Sequence, residues 1–359
     1  MTTLRQIADK AGTTVATVSR ALRGALDISA ARKQEIREIA AQLGYRRNPH
    51  VSTLMRHIRQ GRRDLPHKAT IALLFSHALP LPPVRARREI VFVNRRFNGI
   101  EARLAERGYQ AETFWLNDPD CQPAQLNRIL RARGIRGVCL LLFSQPAITI
   151  DLDWKNFALA TQSDFLGGPS LHRVAEDYFA NTLLAMTRLW ESGCRRIALA
   201  YTARHIPSAR FRITAAWRRF LELGGDILAI DHPTSSPAAK SREIPIWTSS
   251  DEAWNERAFM AWFRRERPDA ILTFDYGDMP RWLVRAGVRI PEDVSIAVLN
   301  RCPSAPEFSG VDPEPERLGA MSVDLVIEQL ENNETGLPAN PKILTIPGRW
   351  VTGQTTRTA

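Results

Sequence analysis

The sequence predicts an α/β protein, with an N-terminal helix-turn-helix head ahead of a larger body of doubly wound α/β units. Three observations predict it. Residues 3–45 hold three short helical patterns separated by glycine-containing turns. From Ala69 onward, apolar runs of strand length alternate with helical stretches, the pattern of a parallel sheet. The chain carries 49 Lys+Arg against 38 Asp+Glu, a net charge of +11, and residues 1–68 alone account for +9 of it. A basic head on a nearly neutral body is the footprint of a phosphate-binding module.

The head is read in order. Thr3 and Gln6 have capping-box spacing, and Leu4, Ile7, Ala8 and Ala11 form one apolar helix face. Gly12 breaks that helix, and Thr13-Thr14 supplies a turn and the next N-cap. The second helix runs from Val15 to Arg23 with Val18 and Leu22 inward, and Gly24 ends it. A third starts at Ser29, with Ile36, Ile39, Ala40 and Leu43 as its buried stripe. The helices place the head at residues 1–47 and leave 48–68 as hinge and linker. There Asn48 and Pro49 open a short basic helix whose Val51, Leu54, Met55 and Ile58 form an apolar stripe. So short a helix is marginal alone in water and needs a partner.

The body, 69–359, begins with strand Ala69–Phe75, helix Phe97–Arg107, strand Gln110–Leu116, helix Gln122–Arg133 and strand Val138–Phe143. The SHALPLPPVRARREIVFVNRR stretch between the first two is read as a solvated basic loop, with a segment that shapes a ligand pocket as the alternative. A second series starts near Asp177: helix Tyr178–Ser192, strand Arg196–Tyr201, helix Phe211–Leu223, strand Asp226–Ile230, helix Glu252–Arg265 and strand Ala270–Phe274. Helix Met279–Ala286, strand Val294–Leu299, helix Arg317–Leu330 and terminal strands in KILTIPGRWVTGQT complete it.

Several function classes are absent from the sequence. His172, His205 and His232 are isolated, and there is no Walker loop, no GxSxG and no paired-carboxylate signature. Catalytic residues, metal ligands and cofactors are therefore expected to be none. The four cysteines (Cys121, Cys139, Cys194, Cys302) form no CxxC pair and are expected as buried, reduced thiols. No run is long enough to span a bilayer, and no apolar leader precedes the head, so the expected location is the cytoplasm, at the nucleoid.

The run Ile7-Ala8, Ala11-Gly12, Thr17-Val18-Ser19-Arg20, Ser29, Arg32 and Leu43-Gly44-Tyr45 resembles the lactose-repressor (LacI/GalR) family of bacterial transcription regulators. A weaker, element-by-element likeness reaches about residue 355, with RAGVRIPEDVSIAVLNR its most family-like part. The resemblance implies a periplasmic-binding-protein-like core of two lobes, about 69–162 with 299–325 and about 163–298 with 326–345. It implies a homodimer on double-stranded operator DNA, and a sugar-like small molecule held between the lobes that controls operator affinity. The sign is open: a repressor, or alternatively an activator or corepressor-dependent regulator. A DNA-modifying enzyme with a helix-turn-helix domain is the more distant rival.

Residue by residue, Val15, Ala16 and Arg20 match base-reading positions. Arg20 has the fork for guanine O6 and N7, while Val15 and Ala16 offer methyl groups. Thr3, Thr14, Thr17, Ser19, Arg23, Ser29, Tyr45 and Asn48 are the phosphate candidates. Leu54, with Val51, matches the minor-groove wedge; a plain amphipathic linker helix is the competing reading. The sequence departs from the family at Pro49, Val51 and Ser52, and at Arg23, where asparagine is common. In the cleft, Arg212 matches an effector-pairing arginine, with Arg210 its competitor in register. Asp275, Asn300 and Gln162 follow strand ends, and Phe92 and Trp217 are stacking candidates. Asn300 stands where relatives usually carry aspartate.

Overall fold

A computed structural model describes residues 4–22, 28–43, 69–75, 83–116, 123–141, 152–162, 169–202, 207–225, 246–249, 254–274 and 276–358. The expected hinge helix and the strand at 226–230 lie outside these residues, as does Cys121.

The head folds as three helices: α1 Leu4–Lys10, α2 Val15–Leu22 and α3 Ala30–Gln42. Their inward residues Ile7, Ala8, Ala11, Val18, Ala21, Ile36 and Ala40 make one small core. Gly12 ends α1 at φ +58°, a left-handed conformation that costs glycine nothing. Ser29 caps α3 by accepting the Arg32 amide at 3.3 Å.

The body contains two six-stranded sheets. The first uses β1 Thr70–Phe75, β2 Gln110–Trp115, β3 Gly137–Leu141, β4 Ala158–Thr161, β5 His172–Glu176 and one late strand, Ile343–Ile346. Strands β1 to β5 pair in parallel through β1 with β2 and β3, β3 with β4, and β4 with β5. The late strand closes the sheet beside β5. Its helices are α4 Pro83–Arg107 and α5 Pro123–Ala132. β1 and β3 are buried along nearly their full length, as strands covered on both faces must be.

The second sheet uses β6 Ile197–Thr202, β7 Ile246–Ser249, β8 Ala270–Thr273, β9 Ser295–Val298 and β10 Ser309–Asp312, all in parallel. Helices α6 Tyr178–Glu191, α7 Pro207–Glu222, α8 Glu256–Glu266, α9 Met279–Arg285 and α10 Pro315–Asn332 belong to this part of the chain. β11 is the late strand of the first sheet, and β12 Arg349–Val351 lies antiparallel to β10. Asp177 caps α6 through the Ala180 amide, and Asn255 caps α8 through the Ala258 amide.

Two compact units result. One draws on the chain up to Ala78, on Ile100–Arg173 and on Ala320–Lys342; the other on Leu79–Gly99, Val174–Gly319 and Ile343–Ala359. The return to the first unit thus differs from the expected switch near 299. Ser309 pairs with Ala297 in the second sheet, which keeps the chain there until Gly319.

The second difference concerns the basic stretch after β1. It is not a solvated loop from Pro83 onward. Helix α4 begins there, fourteen residues before the expected start at Phe97. A periodic stripe, Ile90, Val93, Phe97, Ile100 and Leu104, extends two turns upstream of Phe97 and is the sequence signal for the longer helix. Gly99 is buried where α4 meets the first turn of α10, because any Cβ there would collide with the Glu316 carbonyl.

Candidate functional site

The head presents α2 outward. Val18 and Ala21 are fully buried on one side, while Val15, on the other, keeps 43% of its surface exposed. An exposed β-branched side chain at the first position of a short helix suits a contact surface. Arg20 is also exposed. Thr14 caps α2, its Oγ1 accepting the Thr17 amide at 3.2 Å and lying 3.0 Å from the Thr17 hydroxyl. A hydroxyl that accepts an amide keeps its own proton to donate, so capping leaves Thr14 and Ser29 able to bind a phosphate oxygen.

Arg32 holds this surface in place. Its Nη2 donates to the Ala11 carbonyl at 2.6 Å, tying α3 to the end of α1, while Nη1 binds both Glu35 oxygens. The side chains of Ala16 and Ser19 are not among those described, and Thr3, Arg23, Tyr45, Asn48, Val51 and Leu54 lie outside the described residues.

In the body, two candidate ligand residues, Gln162 and Asn300, follow the carboxyl ends of parallel strands, where open α/β sheets bind ligands. Gln162 follows β4. Its Nε2 donates to the Ser322 hydroxyl at 2.8 Å, while its Oε1 is buried without a partner among the described residues. Ser322 also lies against Cys139, whose thiol is pushed up to about 12 by complete burial. Gln329 fixes β4 from behind, exchanging hydrogen bonds with both backbone groups of Leu159 at 3.0 Å. Cys139, Cys194 and Cys302 are buried and free, as expected.

In the second unit, Asn300 follows β9 and Leu299. It is half-buried, and its Oδ1 too is buried without a partner among the described residues. Arg212 on α7 and Phe92 on α4 are half-buried, and Asp275 lies outside the described residues. Trp217 requires a correction. It is 0% exposed, packs with Ile213, Phe220 and Leu272, and donates its indole N–H to the Ile197 carbonyl at 3.1 Å. Its burial within that cluster makes it a core residue with no surface left for stacking.

Residues missed by sequence reasoning sit on α4. Arg95 binds Asp312 and Glu316, and Arg96 binds Glu176, all within the second unit. Asp312 closes β10 and Glu176 closes β5. Burial and two carboxylates accompany an Arg95 guanidinium held above its ordinary pKa: desolvation opposes its charge, and the bonds to Glu316 and Asp312 outweigh it. Among the described residues there is no His/Cys/Asp/Glu group that could hold a metal, and no helix is long and apolar enough to cross a membrane.

Comparison with known proteins agrees with this architecture. No curated protein sequence matches the chain. A solved transcriptional regulator CelR–cellobiose complex matches at 20% identity and a TM-score of 0.57, covering 99% of this chain and 100% of that one. The lac repressor dimer bound to operator and the anti-inducer ONPF matches at 19% identity and 0.54, covering 99% of each. A LacI family transcriptional regulator from Enterococcus faecium with bound ribose matches at 17% and 0.52, covering 81% of this chain and 100% of that one. These likenesses show the fold. The profile for a periplasmic binding protein-like domain matches residues 186–356, and that for bacterial regulatory proteins of the lacI family matches residues 3–48. The chain thus carries both signatures, a head of the lacI family of bacterial regulatory proteins joined to a periplasmic binding protein-like domain.

Proposed function

We propose that the chain is an effector-controlled repressor of transcription rather than an enzyme, working as a homodimer on a pseudo-palindromic operator at the nucleoid. The observation that carries the DNA part is the outward face of α2, where Val15 and Arg20 stand exposed over a buried core. In this reading α2 enters the major groove with Val15, Ala16 and Arg20 at base edges. The hydroxyls of Thr3, Thr14, Thr17, Ser19 and Ser29, with Arg23, Tyr45 and Asn48, bind phosphates. The head spans 1–47, and the segment 48–68 forms paired hinge helices whose Leu54, beside Val51, wedges into the minor groove.

The regulatory part rests on the body. Gln162 and Asn300, each past the end of a parallel strand, hold buried side-chain oxygens without donors among the described residues. An unmet buried acceptor costs about 1–3 kcal/mol unless something donates to it, and a polyhydroxylated ligand supplies such donors. The cellobiose and ribose bound to two structural relatives are of that chemistry. Arg212 and Phe92, with Asp275, complete the proposed sugar-binding set. An effector that prefers one state of the body shifts operator affinity by its differential binding, typically ~1–3 kcal/mol, or about 5–150-fold.

The test is operator selection from random duplex DNA with the purified protein, followed by titration against mono-, di- and acidic sugars. A palindromic site released tenfold by one compound supports the repressor. Tighter binding with the compound makes it a corepressor instead, and absence of any selected site overturns the DNA reading.

A further inference from the structure

The first compact unit carries a groove remote from the strand end that holds Gln162. It lies at the amino ends of β3 and β4 and has a volume of about 560 Å³, within the ~300–1,000 Å³ usual for small-molecule sites. The length of β4 separates it from Gln162, roughly 16 Å of strand. Its walls are the turn between α5 and β3, the segment leading into β4 and the loop after α10, all in the same unit. Backbone bonds lace the three walls together. The Ala158 amide donates to the Arg136 carbonyl at 2.8 Å, and the Gly336 amide to the Phe157 carbonyl at 2.9 Å. Ile135 and Phe157, both buried, form the floor. Gly134, at φ +68°, leaves open space where a side chain would stand. The shape is thus set by the folded backbone.

The walls are cationic. Arg131, Arg136 and Lys155 line the groove, and no carboxylate does. One acid contacts this lining from beside it. Asp153 accepts from Arg131 Nη2 and, at 2.7 Å, from Asn156 Nδ2, while Lys155 Nζ stands 3.9 Å away, beyond hydrogen-bond range. Asp153 is itself tied to α5, its amide donating to Asn127 Oδ1 at 2.9 Å. Arg136 is exposed and has no side-chain partner among the described residues. Three cations against one carboxylate leave a surplus of two positive charges around one walled space, with Asn156 and Thr335 as its neutral polar groups. A phosphate monoester matches this set, because it brings a charge of about −1.5 to −2 at pH 7 and three strong acceptor oxygens. Guanidinium and ammonium donors from different walls can meet several of those oxygens at once through charge-assisted bonds. A carboxylate offers two oxygens and a single charge.

We propose that this groove binds a small phosphate-bearing molecule at a site separate from the sugar site. Arg136 and Lys155 meet the phosphate oxygens, Asp153 positions Arg131 beside them, and the rest of the ligand lies against the floor of Ile135 and Phe157. The proposal does not depend on the effector reading, since no residue of that set lines the groove.

The experiment is calorimetric titration of the full-length protein with inorganic phosphate, pyrophosphate and D-glucose 6-phosphate, with D-glucose as the uncharged control. One low salt concentration is used throughout, because salt screens exposed charges. Wild type is compared with Arg136→Gln, Lys155→Gln and Arg128→Gln, each first shown to be folded by its melting curve. Arg128→Gln removes an exposed charge from α5 outside the groove. A phosphate compound bound by wild type, roughly tenfold weaker in Arg136→Gln, in Lys155→Gln or in both, supports the proposal, provided Arg128→Gln stays within about twofold of wild type. Equal weakening in all three variants makes the effect a general field of the basic surface and overturns it. Unchanged affinity in both groove variants places the phosphate elsewhere, such as on the basic head, and overturns it too. No binding of the three compounds to wild type also overturns it. If the groove variants then weaken binding to random duplex DNA, the surface is a contact for nucleic-acid phosphates instead.

Discussion

Arg95 meets Asp312 across 217 positions of sequence, both guanidinium ends reaching its two carboxylate oxygens at 3.1 Å. The Asp312 side chain is 4% exposed, so its charge has little water to fall back on. Removing one partner of such a pair strands the other, which typically costs about 3–5 kcal/mol. Arg95→Met should therefore lower unfolding stability by roughly that much in urea titration. Asp312→Asn in the same chain should recover part of the loss, because a neutral amide needs no counter-charge. Additive losses in the double variant would show the pair is not coupled.

Trp217 separates a core role from a ligand role. With its N–H on the Ile197 carbonyl and no exposed surface, Trp217→Phe removes a buried hydrogen bond and some packed volume. The expected result is a loss of about 2–4 kcal/mol in stability, with effector affinity unchanged in calorimetry. A selective loss of ligand binding at unchanged stability would restore the stacking reading.

How much of this was legible is clearest on α4. Its trailing half is legible from Phe97, but the Arg-rich start has the composition of a solvated loop, and its charges mask the Ile90–Leu104 stripe. The partners of Arg96 and Arg95 could not be read locally: Glu176 lies 80 positions from the first and Glu316 lies 221 from the second. Trp217 failed for a related reason, since helical spacing alone does not say which side of α7 faces the sheet. The head was almost fully legible. Its helices are short, and Gly12, Thr14 and Ser29 mark their ends with local chemistry that needs no distant partner.

Arg20 tests the head. An exposed arginine over a buried Val18–Ala21 face is expected to supply about 1–3 kcal/mol of base discrimination through a bidentate guanine contact. Arg20→Ala should weaken binding to the selected operator roughly 5- to 150-fold, while binding to random duplex changes by much less. The check is fluorescence anisotropy on both DNAs at one salt concentration, because phosphate contacts alone would lower both together.

His172 gives the chain a pH dependence of stability whose sign can be worked out. The ring is buried at the start of β5, and its Nδ1 accepts the Lys342 amide at 2.9 Å, which requires that nitrogen to be unprotonated. Burial first, then the nearby Lys342 charge, hold its pKa below the ordinary 6.5, with Glu328 opposing them. Between the lowered native value and 6.5 the unfolded chain binds more protons, so stability rises with pH there. The contribution is fully present above about 6.5 and is lost as pH falls through the native value. His172→Asn places an amide oxygen where Nδ1 accepted and cannot be charged. Its Tm at pH 7.5 should stay close to wild type, and its Tm drop between pH 7.5 and 5 should be smaller. Carboxylates elsewhere, such as Asp324, whose pKa is raised by burial, contribute equally to both proteins and cancel in the comparison. Identical acid profiles for the two would mean that His172 keeps its amide bond by some other proton arrangement and does not set this dependence.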